Sequence, residues 1–171
     1  MIKFPWSAQD LRDISEVIKQ YTDSNYWEVL SAFCFLYIFL QTFAIPGPIF
    51  LSILSGALFG GVEGFFLVCL CATSGASMCY GLSSVLGKSL VVRMMPKWII
   101  WFSNLIKNQW DNLFYYLLFL RITPLLPNVF INVSSPILGI PYLTFALATF
   151  LGLMPLNIVH IRTGLILSEV N

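Results

Sequence analysis

A lone arginine in an apolar stretch is the residue of this chain with the clearest potential for chemistry. Arg121 is the only Lys, Arg, Asp or Glu between Asn112 and Ile161. A guanidinium presents five N–H donors in a planar fork that matches a phosphate group, so Arg121 could receive a lipid headgroup or another anion. In the structural alternative, Arg121 clamps backbone carbonyls freed at a turn or pairs with Glu63. We favour the first use, because Asn or Ser would make a structural lock without burying a charge.

The residues around and after Arg121 are unusual for a transmembrane helix. Four prolines and two asparagines lie within residues 119–141. Irregular backbone is tolerated at membrane depth only where protein buries it or water fills a cavity, so this pattern predicts a re-entrant hairpin that lines a site. We predict a polar crevice for a headgroup, built from two stretches of the chain. Its candidate substrate-path residues are Arg121, Pro124, Pro127, Asn128, Asn132 and Ser134 in one stretch and Pro46, Gly47, Pro48, Ser52, Ser55 and Glu63 in the other.

The composition places these residues in an integral membrane protein. Of the 171 residues, 58% are hydrophobic and 10% are charged, and the mean hydropathy is +0.83; about 25% of residues are charged in a soluble domain. A net charge of +1 gives no electrostatic basis for binding nucleic acid. Four cysteines in apolar segments and a single histidine, His160, give little basis for a metal site. We predict no metal, no cofactor and no covalent catalysis.

The polar N-terminal segment, residues 1–28, precedes a membrane domain over residues 29–171. The segment holds eight charged residues, which predicts no cleavable signal peptide. Its apolar residues Leu11, Ile14 and Ile18 recur at helical spacing, which predicts an amphipathic helix. This helix lies either on the membrane surface or against the rest of the protein.

The first half of the membrane domain is predicted to be a hairpin followed by a span. Residues 29–62 include no charged residue, yet two crossings of about 20 residues each cannot fit there. The chain breakers at 46–48 therefore predict a hairpin over 29–62, and residues 64–87 then form a transmembrane span. That span carries a stripe of small residues that lets another helix approach closely: Gly75, Cys79, Ser83 and Gly87.

The second half repeats this plan after a polar loop at residues 88–112. A helix is predicted to begin at Pro96, and its tryptophans beside lysines indicate an interfacial element; a helix that covers the end of the bundle is the alternative. Its predicted apolar face consists of Trp98, Trp101, Phe102 and Leu105. Four Lys and Arg residues place this loop on the cytoplasmic side. Residues 113–141 form the second hairpin and residues 142–168 the last span.

A shift of 79 residues aligns the two halves, with Pro48 over Pro127, Ser55 over Ser134 and Gly60 over Gly139. One span between two hairpins puts the hairpins on opposite membrane faces, an arrangement that builds binding sites at the midplane from broken helices. The predicted fold is thus an all-α integral membrane protein: an inverted repeat of re-entrant helical hairpin plus transmembrane helix, with amphipathic interfacial helices. In this topology Glu63 and Arg162 share one interface, where we predict a structural ion pair.

Several motifs of the chain resemble the DedA superfamily, also called the SNARE-associated Golgi protein or VTT domain, and within it the eukaryotic transmembrane protein 41 (Stasimon) branch. They are FAIPGPIFLSILSGALFG at 43–60, CATSGASMCYGLSSVLGK at 71–88, FLRITPLLPNVFIN at 119–132, and the pattern Gly139, Pro141, Phe145, Gly152 and Pro155. Arg121 with Phe119 and Pro124 matches the family's arginine motif, and residues 46–60 match its first hairpin.

The resemblance implies two facing re-entrant hairpins and residence in the endoplasmic reticulum. It also implies energy-independent scrambling of phospholipids between leaflets, linked in relatives to autophagosome formation and lipid mobilisation. Relatives carry a further transmembrane helix before the region that matches residue 4 and another after the region that matches residue 170.

Three functional hypotheses follow, and we favour a phospholipid scramblase. The second is a proton- or ion-coupled transporter of an anionic solute, which the inverted repeat with Arg121 and Glu63 would equally allow. The third is a membrane adaptor that acts through its amphipathic helices without transport. The predicted partners are membrane phospholipids, together with other membrane proteins or a second copy of this chain, and no nucleic acid.

Overall fold

The computed structural model describes residues 25–87, 96–123 and 126–169, and every regular element in them is helical. The helices are α1 (Tyr26–Thr42), α2 (Pro48–Phe59), α3 (Gly61–Leu82) with a π-helical extension (Ser83–Gly87), α4 (Pro96–Lys107), a 3₁₀ turn (Trp110–Asn112), α5 (Leu113–Ile122), α6 (Asn128–Ile137) and α7 (Tyr142–Glu169). The prediction of an all-α chain is confirmed for these residues. The predicted N-terminal amphipathic helix lies outside them.

Two of the helices are long and apolar enough to cross a membrane. The candidate spans are Gly61–Leu86 and Tyr142–Ser168, of 26 and 27 residues, each with a mean hydropathy of 1.7. Both agree with the predicted spans to within three residues. They pack in opposite directions: Gly61 lies beside Leu165, Cys69 beside Asn157 and Tyr80 beside Tyr142.

Four shorter helices form two pairs beside the long ones. The pair α1 and α2 is joined through residues 43–47, where Ala44 adopts a φ of 59°, and α5 and α6 are joined through residues 123–127. The four helices have 17, 12, 10 and 10 residues, so each is about 15 to 26 Å long at 1.5 Å per residue. All four are shorter than the roughly 30 Å hydrocarbon core of a bilayer.

The two pairs pack on the long helices in a reciprocal pattern. The first arm of each pair packs on the long helix that follows it, α1 on α3 and α5 on α7. The second arms are exchanged, because α2 packs extensively on α7 while α6 packs on α3. Glycines permit the close approaches: a Cβ at Gly164 would overlap the carbonyl oxygen of Ile53, and one at Gly75 would overlap the side chain of Gln41. Gly75 thus serves the helix contact predicted for its stripe.

The aligned positions of the two halves have matching local structure. Ser55 and Ser134 are both fully buried, and each hydroxyl donates a hydrogen bond to a carbonyl of its own helix. Gly60 and Gly139 have φ values of 80° and 75°, in the left-handed region that glycine adopts without steric cost. In each half, a left-handed glycine therefore ends the second short helix and leads into the long one.

The hydrophobic core is divided between two clusters. The cluster around α1, α2 and α3 includes Phe33, Phe59 and Val68, and the cluster around α4, α5 and α6 includes Phe102, Leu117 and Ile131. The helix α7 contributes to both, with Leu153 and Ile161 in the first and Phe145 and Ala148 in the second. The long helix α7 therefore joins the two halves.

The helix α4 begins at Pro96, as predicted, but buries a different face. Its buried residues are Ile99, Phe102 and Ile106. The ring of Phe102 packs on Phe130 of α6 with 5.4 Å between centroids. Trp98 and Trp101 flank this face and remain 52% and 46% exposed. The tryptophans are therefore at the rim of the contact, and α4 packs on the bundle through aliphatic residues and Phe102.

Because α2 and α7 are in close contact at Gly164, a methyl group added at this residue should destabilise the protein. Gly164→Ala places a Cβ against the backbone of Ile53, which cannot move without shifting α2, so we expect a loss of about 1–3 kcal/mol in the free energy of unfolding. Thermal unfolding of the detergent-solubilised chain measures this loss. Gly81→Ala is the matched control, because a Cβ there meets no atom within 4 Å. Equal unfolding midpoints for the two variants would contradict the described packing.

Candidate functional site

Arg121 lies in the last turn of α5 and is buried against α7. Only 4% of its surface is exposed. Gly152 of α7 makes this approach possible, since a Cβ there would overlap the Arg121 side chain. A charge at the centre of a bilayer costs from about 2.5 to well over 10 kcal/mol, depending on how it is measured. A guanidinium buried in this way therefore needs hydrogen-bond acceptors around it.

Three side-chain oxygens and one aromatic ring surround the guanidinium and form what we call the arginine cluster. Nη1 donates to Oδ1 of Asn128 at 3.1 Å, and Nη2 donates to Oδ1 of Asn132 at 2.7 Å and to Oγ1 of Thr149 at 2.9 Å. The guanidinium carbon lies 5.1 Å from the centroid of the Phe145 ring, within the range of a cation–π contact. Arg121 thus ties α5 to both α6 and α7.

The arginine cluster is charged but contains no carboxylate. Among the described residues, the guanidinium makes hydrogen bonds only to the two amides and the hydroxyl, which leaves two of its five N–H groups without a partner. The alternative pairing of Arg121 with Glu63 is not formed, and the Glu63 carboxylate accepts a hydrogen bond from the Tyr26 hydroxyl instead. The alternative clamp on backbone carbonyls of the turn stays untested, because residues 124 and 125 lie outside the described part of the chain. In the described part of the chain, no carboxylate therefore pairs with the positive charge of Arg121.

A cleft of about 400 Å³, here called the central cleft, lies where the turn of the first helix pair and the start of α6 meet the long helices. Pro46, Gly47, Pro48 and Ser52 of the first pair line it together with Asn128 of the second. Ala72 of α3 also lines it, 11 residues from the first and 10 residues from the last residue of that helix. The α7 residues that line it lie between positions 153 and 160 of Tyr142–Glu169. The central cleft is therefore about half way along both long helices.

The described residues that line the central cleft are apolar or are polar without formal charge. The polar ones are Tyr37, Gln41, Ser52, Asn128, Asn157 and His160. The hydroxyls of Tyr37 and Ser52 are 3.0 Å apart, and Nδ2 of Asn157 is 3.4 Å from the Cys69 sulfur. Nδ1 of His160 is buried and has no hydrogen-bond partner among the described residues. The lining can therefore offer hydrogen bonds without imposing a fixed charge.

Asn128 joins the arginine cluster to the central cleft. Its side-chain oxygen accepts from Arg121, and the residue also lines the cleft. Arg121 itself does not line the cleft. One hydrogen-bond acceptor of the Arg121 guanidinium therefore lies at the cleft. Asn132, whose Oδ1 also accepts from Arg121, has a buried Nδ2 with no hydrogen-bond partner in the described part of the chain.

The predicted site residues separate into three groups in the structure. Those at the central cleft are Pro46, Gly47, Pro48, Ser52 and Asn128, with Arg121 and Asn132 in the adjoining arginine cluster. Those that do not line it are Ser55 and Ser134, which are buried within their helices, Pro127, which is exposed before α6, and Glu63, which is exposed in the first turn of α3. Pro124 lies outside the described residues. A role of any of them in a substrate path stays a prediction.

The predicted ion pair between Glu63 and Arg162 is not formed. Arg162 does lie beside Gly61 and Val62, at the end of α3 where the topology places it. The Glu63 carboxylate is instead bound by Tyr26 of α1. The two charges therefore share one end of the bundle without neutralising each other directly.

Several residues of the site were not predicted from the sequence. Tyr37, Gln41, Thr149 and Asn157 were absent from the candidate set, and His160 had no site role in it. Gln41 and Asn157 carried a usable signal, because an amide in an apolar helix is costly unless it finds a partner. Thr149 carried no such signal, since a threonine can satisfy its hydroxyl within its own helix.

Among the described residues, no group of three His, Cys, Asp or Glu side chains could hold a metal ion.

The arginine cluster predicts different effects for two threonines of α7. Both hydroxyls donate to the carbonyl four residues earlier, at 2.6 Å for Thr149 and 2.9 Å for Thr163, but only Thr149 also accepts from Arg121. Thr149→Val leaves a buried charged donor unpaired, so we expect a loss of about 1–3 kcal/mol in the free energy of unfolding. Thr163→Val is the control and should change it by less than about 0.5 kcal/mol. Similar losses in detergent unfolding experiments would argue against the cluster.

The chain was compared with known proteins. The family model of the VTT domain matches residues 45–165. A transmembrane protein 41 homolog of Dictyostelium discoideum is 44% identical over 170 residues, which cover 99% of this chain and 51% of that protein. Transmembrane protein 41B of Homo sapiens is 43% identical over 169 residues, which cover 99% of this chain and 58% of that protein. The chain therefore spans between half and three-fifths of the length of these relatives. No solved structure matches it.

These similarities extend over nearly the whole chain, and they include both of the apolar helices that are long enough to cross a membrane. Gly152, which lets Arg121 approach α7, lies within the matched residues, and so does Phe145, whose ring faces the Arg121 guanidinium. The chain belongs to the VTT-domain family of integral membrane proteins, in its transmembrane protein 41 branch.

Proposed function

We propose that this protein is a phospholipid scramblase, which lets lipids pass between the two leaflets of a membrane without an energy source. The observation that carries the proposal is the central cleft, a polar surface half way along two antiparallel apolar helices. A headgroup that crosses a bilayer has its highest free energy at this depth, because hydrocarbon cannot replace the hydrogen bonds of water. Polar groups at the same depth lower that barrier.

The proposal includes an arrangement of the chain in the membrane. The pairs α1–α2 and α5–α6 are re-entrant hairpins that enter from opposite faces, as an inverted repeat. Their short helices, the opposite directions of α3 and α7 and the exchanged packing of α2 and α6 support this arrangement. The first turn and the start of α6 then meet near the bilayer midplane, where inverted-repeat transporters place their substrate sites.

Arg121 does not contact the headgroup directly in this mechanism. Its guanidinium is surrounded by Asn128, Asn132 and Thr149, so its first role is to hold the start of α6 at the central cleft. Its second role is electrostatic: a positive charge that is hydrogen-bonded to a residue of the cleft attracts the phosphate that every phospholipid headgroup carries. We therefore assign Arg121 as a positioning residue rather than as the direct receptor of the headgroup.

Translocation in this proposal needs no covalent chemistry. The headgroup slides past hydroxyl, amide and imidazole groups of the central cleft while its acyl tails remain in the surrounding lipid. The uncharged lining favours no particular net charge on the headgroup, in keeping with a scramblase that accepts several lipids. The only driving force is the concentration difference between leaflets.

The cellular setting is part of the proposal and rests on the family. We place the protein in the membrane of the endoplasmic reticulum, where scrambling supports autophagosome formation and lipid mobilisation. Its partners there are phospholipids, with other membrane proteins or a second copy of the chain. These statements concern the activity of whole proteins, of which this chain spans 51% and 58% in the two relatives compared.

Scrambling by the full 171-residue chain is measured after reconstitution into liposomes that contain a fluorescent phospholipid. Dithionite bleaches only the outer leaflet, so a scramblase brings the inner-leaflet probe out and the fluorescence decays towards zero. The proposal is rejected if the decay matches that of empty vesicles. Decay that appears only under a pH gradient would instead favour the ion-coupled transporter, and membrane binding without any flux would favour the adaptor.

Replacing polar side chains of the central cleft by apolar ones should slow scrambling and leave the arginine cluster unchanged. In Asn157→Leu/His160→Phe two lining groups lose their hydrogen-bonding capacity, worth about 1–3 kcal/mol each, so we expect at least a tenfold lower rate, since about 1.4 kcal/mol of barrier is tenfold. Val159→Phe/Thr163→Val is the matched control, because both residues lie on α7, are exposed and do not line the cleft. A rate equal to that of the control would exclude the cleft as the path.

A further inference from the structure

A second cleft opens between α3 and α7 near one end of the two long helices, and we call it the lateral cleft. Its volume is about 380 Å³, within the range of small-molecule sites. Its walls are mainly apolar and include Phe65, Phe66, Ile158, Ile161 and Leu165. The α7 residues of the central cleft are Leu153, Leu156, Asn157 and His160. The two clefts therefore use different residues of α7.

Among the described residues that line the lateral cleft, Arg162 is the only charged one. It is exposed, and among the described residues its guanidinium has no hydrogen-bond or ion-pair partner. The nearest carboxylate in the sequence of α3, that of Glu63, is held on the α1 side by the Tyr26 hydroxyl. The lateral cleft thus combines apolar walls with one cation that is available to an external anion.

Arg162 lies near the end of both candidate spans, and we place it close to one membrane interface. Arg162 is six residues from the end of the candidate span Tyr142–Ser168, about 9 Å along a helix, and it lies beside the first residues of the other span. Tyr26 and Trp27 begin α1 at the same end, and Trp27 is 75% exposed. Aromatic side chains of this kind concentrate at membrane interfaces.

The apolar part of the lateral cleft lies deeper than its cation. Phe65 and Ile158 are each about one helical turn further from the ends of their spans than Val62 and Arg162. A molecule that fits this surface has an anionic group at the membrane interface and an apolar chain that points into the bilayer. Phospholipids have this design, and a guanidinium fork matches a phosphate with two parallel hydrogen bonds.

We propose that the lateral cleft binds one membrane phospholipid, with its phosphate on Arg162 and one acyl chain against the walls of the cleft. A lipid bound here is retained as a ligand and is not translocated, so the proposal does not depend on scrambling. It also gives Arg162 a partner in place of the missing ion pair with Glu63. A second copy of the chain is the other occupant that the experiment distinguishes.

Native mass spectrometry of the full chain in detergent micelles tests this inference by measuring the dissociation constant of added lipid. Phosphatidylglycerol should bind the unmodified chain and bind Arg162→Gln about tenfold more weakly, the loss expected for a hydrogen-bonded charge pair. Arg162→Lys should bind with an intermediate affinity, because it keeps the charge and loses the fork. Diacylglycerol of the same acyl composition lacks the phosphate, and its binding should not differ between the chain and Arg162→Gln.

A pair of neighbouring tryptophan substitutions tests the acyl part of the site. Ile158→Trp fills the lateral cleft and should weaken phosphatidylglycerol binding, whereas Val159→Trp should not, since Val159 is similarly exposed but does not line the cleft. Equal affinities for Arg162→Gln and the unmodified chain, or for the two tryptophan variants, would overturn the proposal. So would binding of inorganic phosphate as tight as that of the lipid. Lipid-independent dimers that Arg162→Gln dissociates would assign this face to a second copy instead.

Discussion

The burial of the Arg121 charge is the constraint on which the second half of the bundle depends. A guanidinium without a carboxylate partner is tolerated inside a protein only where several oxygen acceptors converge on it. Asn128 and Asn132 meet this need from α6, where they are one helical turn apart, and Thr149 meets it from α7. Gly152 must lack a side chain for α5 to come close enough. One charge therefore determines residue types on two other helices.

The same constraint brings the start of α6 to the central cleft. Asn128 is the first residue of α6, and its side chain is shared between Arg121 and the cleft. The other side of the cleft is set by backbone contact, because Gly56 and Gly164 let α2 lie directly on α7. Since α2 has only 12 residues, its first turn reaches only half way along α7. The midway position of the cleft is thus a result of helix length and close packing together.

Arg121 and Arg162, the two arginines in the described helices, have opposite environments. This difference in burial separates the roles that we propose for them. Arg121 is buried among acceptors, one of which, Asn128, also lines the central cleft. Arg162 is exposed at one end of the bundle, beside a cleft with apolar walls. The first environment favours positioning and a local field, and the second favours a direct contact with lipid. The role of a charged residue in an apolar segment therefore follows from the residues around it, and its position in the sequence does not determine that role.

Hydropathy and the positions of prolines and glycines were enough to predict the membrane class, the two long helices and the repeat of local structure at Ser55 and Ser134, because these features depend on neighbours along the chain. They also drew attention to Arg121, Asn128 and the chain breakers at 46–48, since polar or chain-breaking residues are costly in an apolar helix, and the structure places Pro48 as the first residue of α2. The tertiary structure alone decided that Glu63 binds Tyr26 rather than Arg121 or Arg162. It also decided that Thr149 and Asn157 belong to the site. The reason is that these contacts join residues 28 to 88 positions apart in the chain, and only the directions and exchanged packing of the helices bring them together.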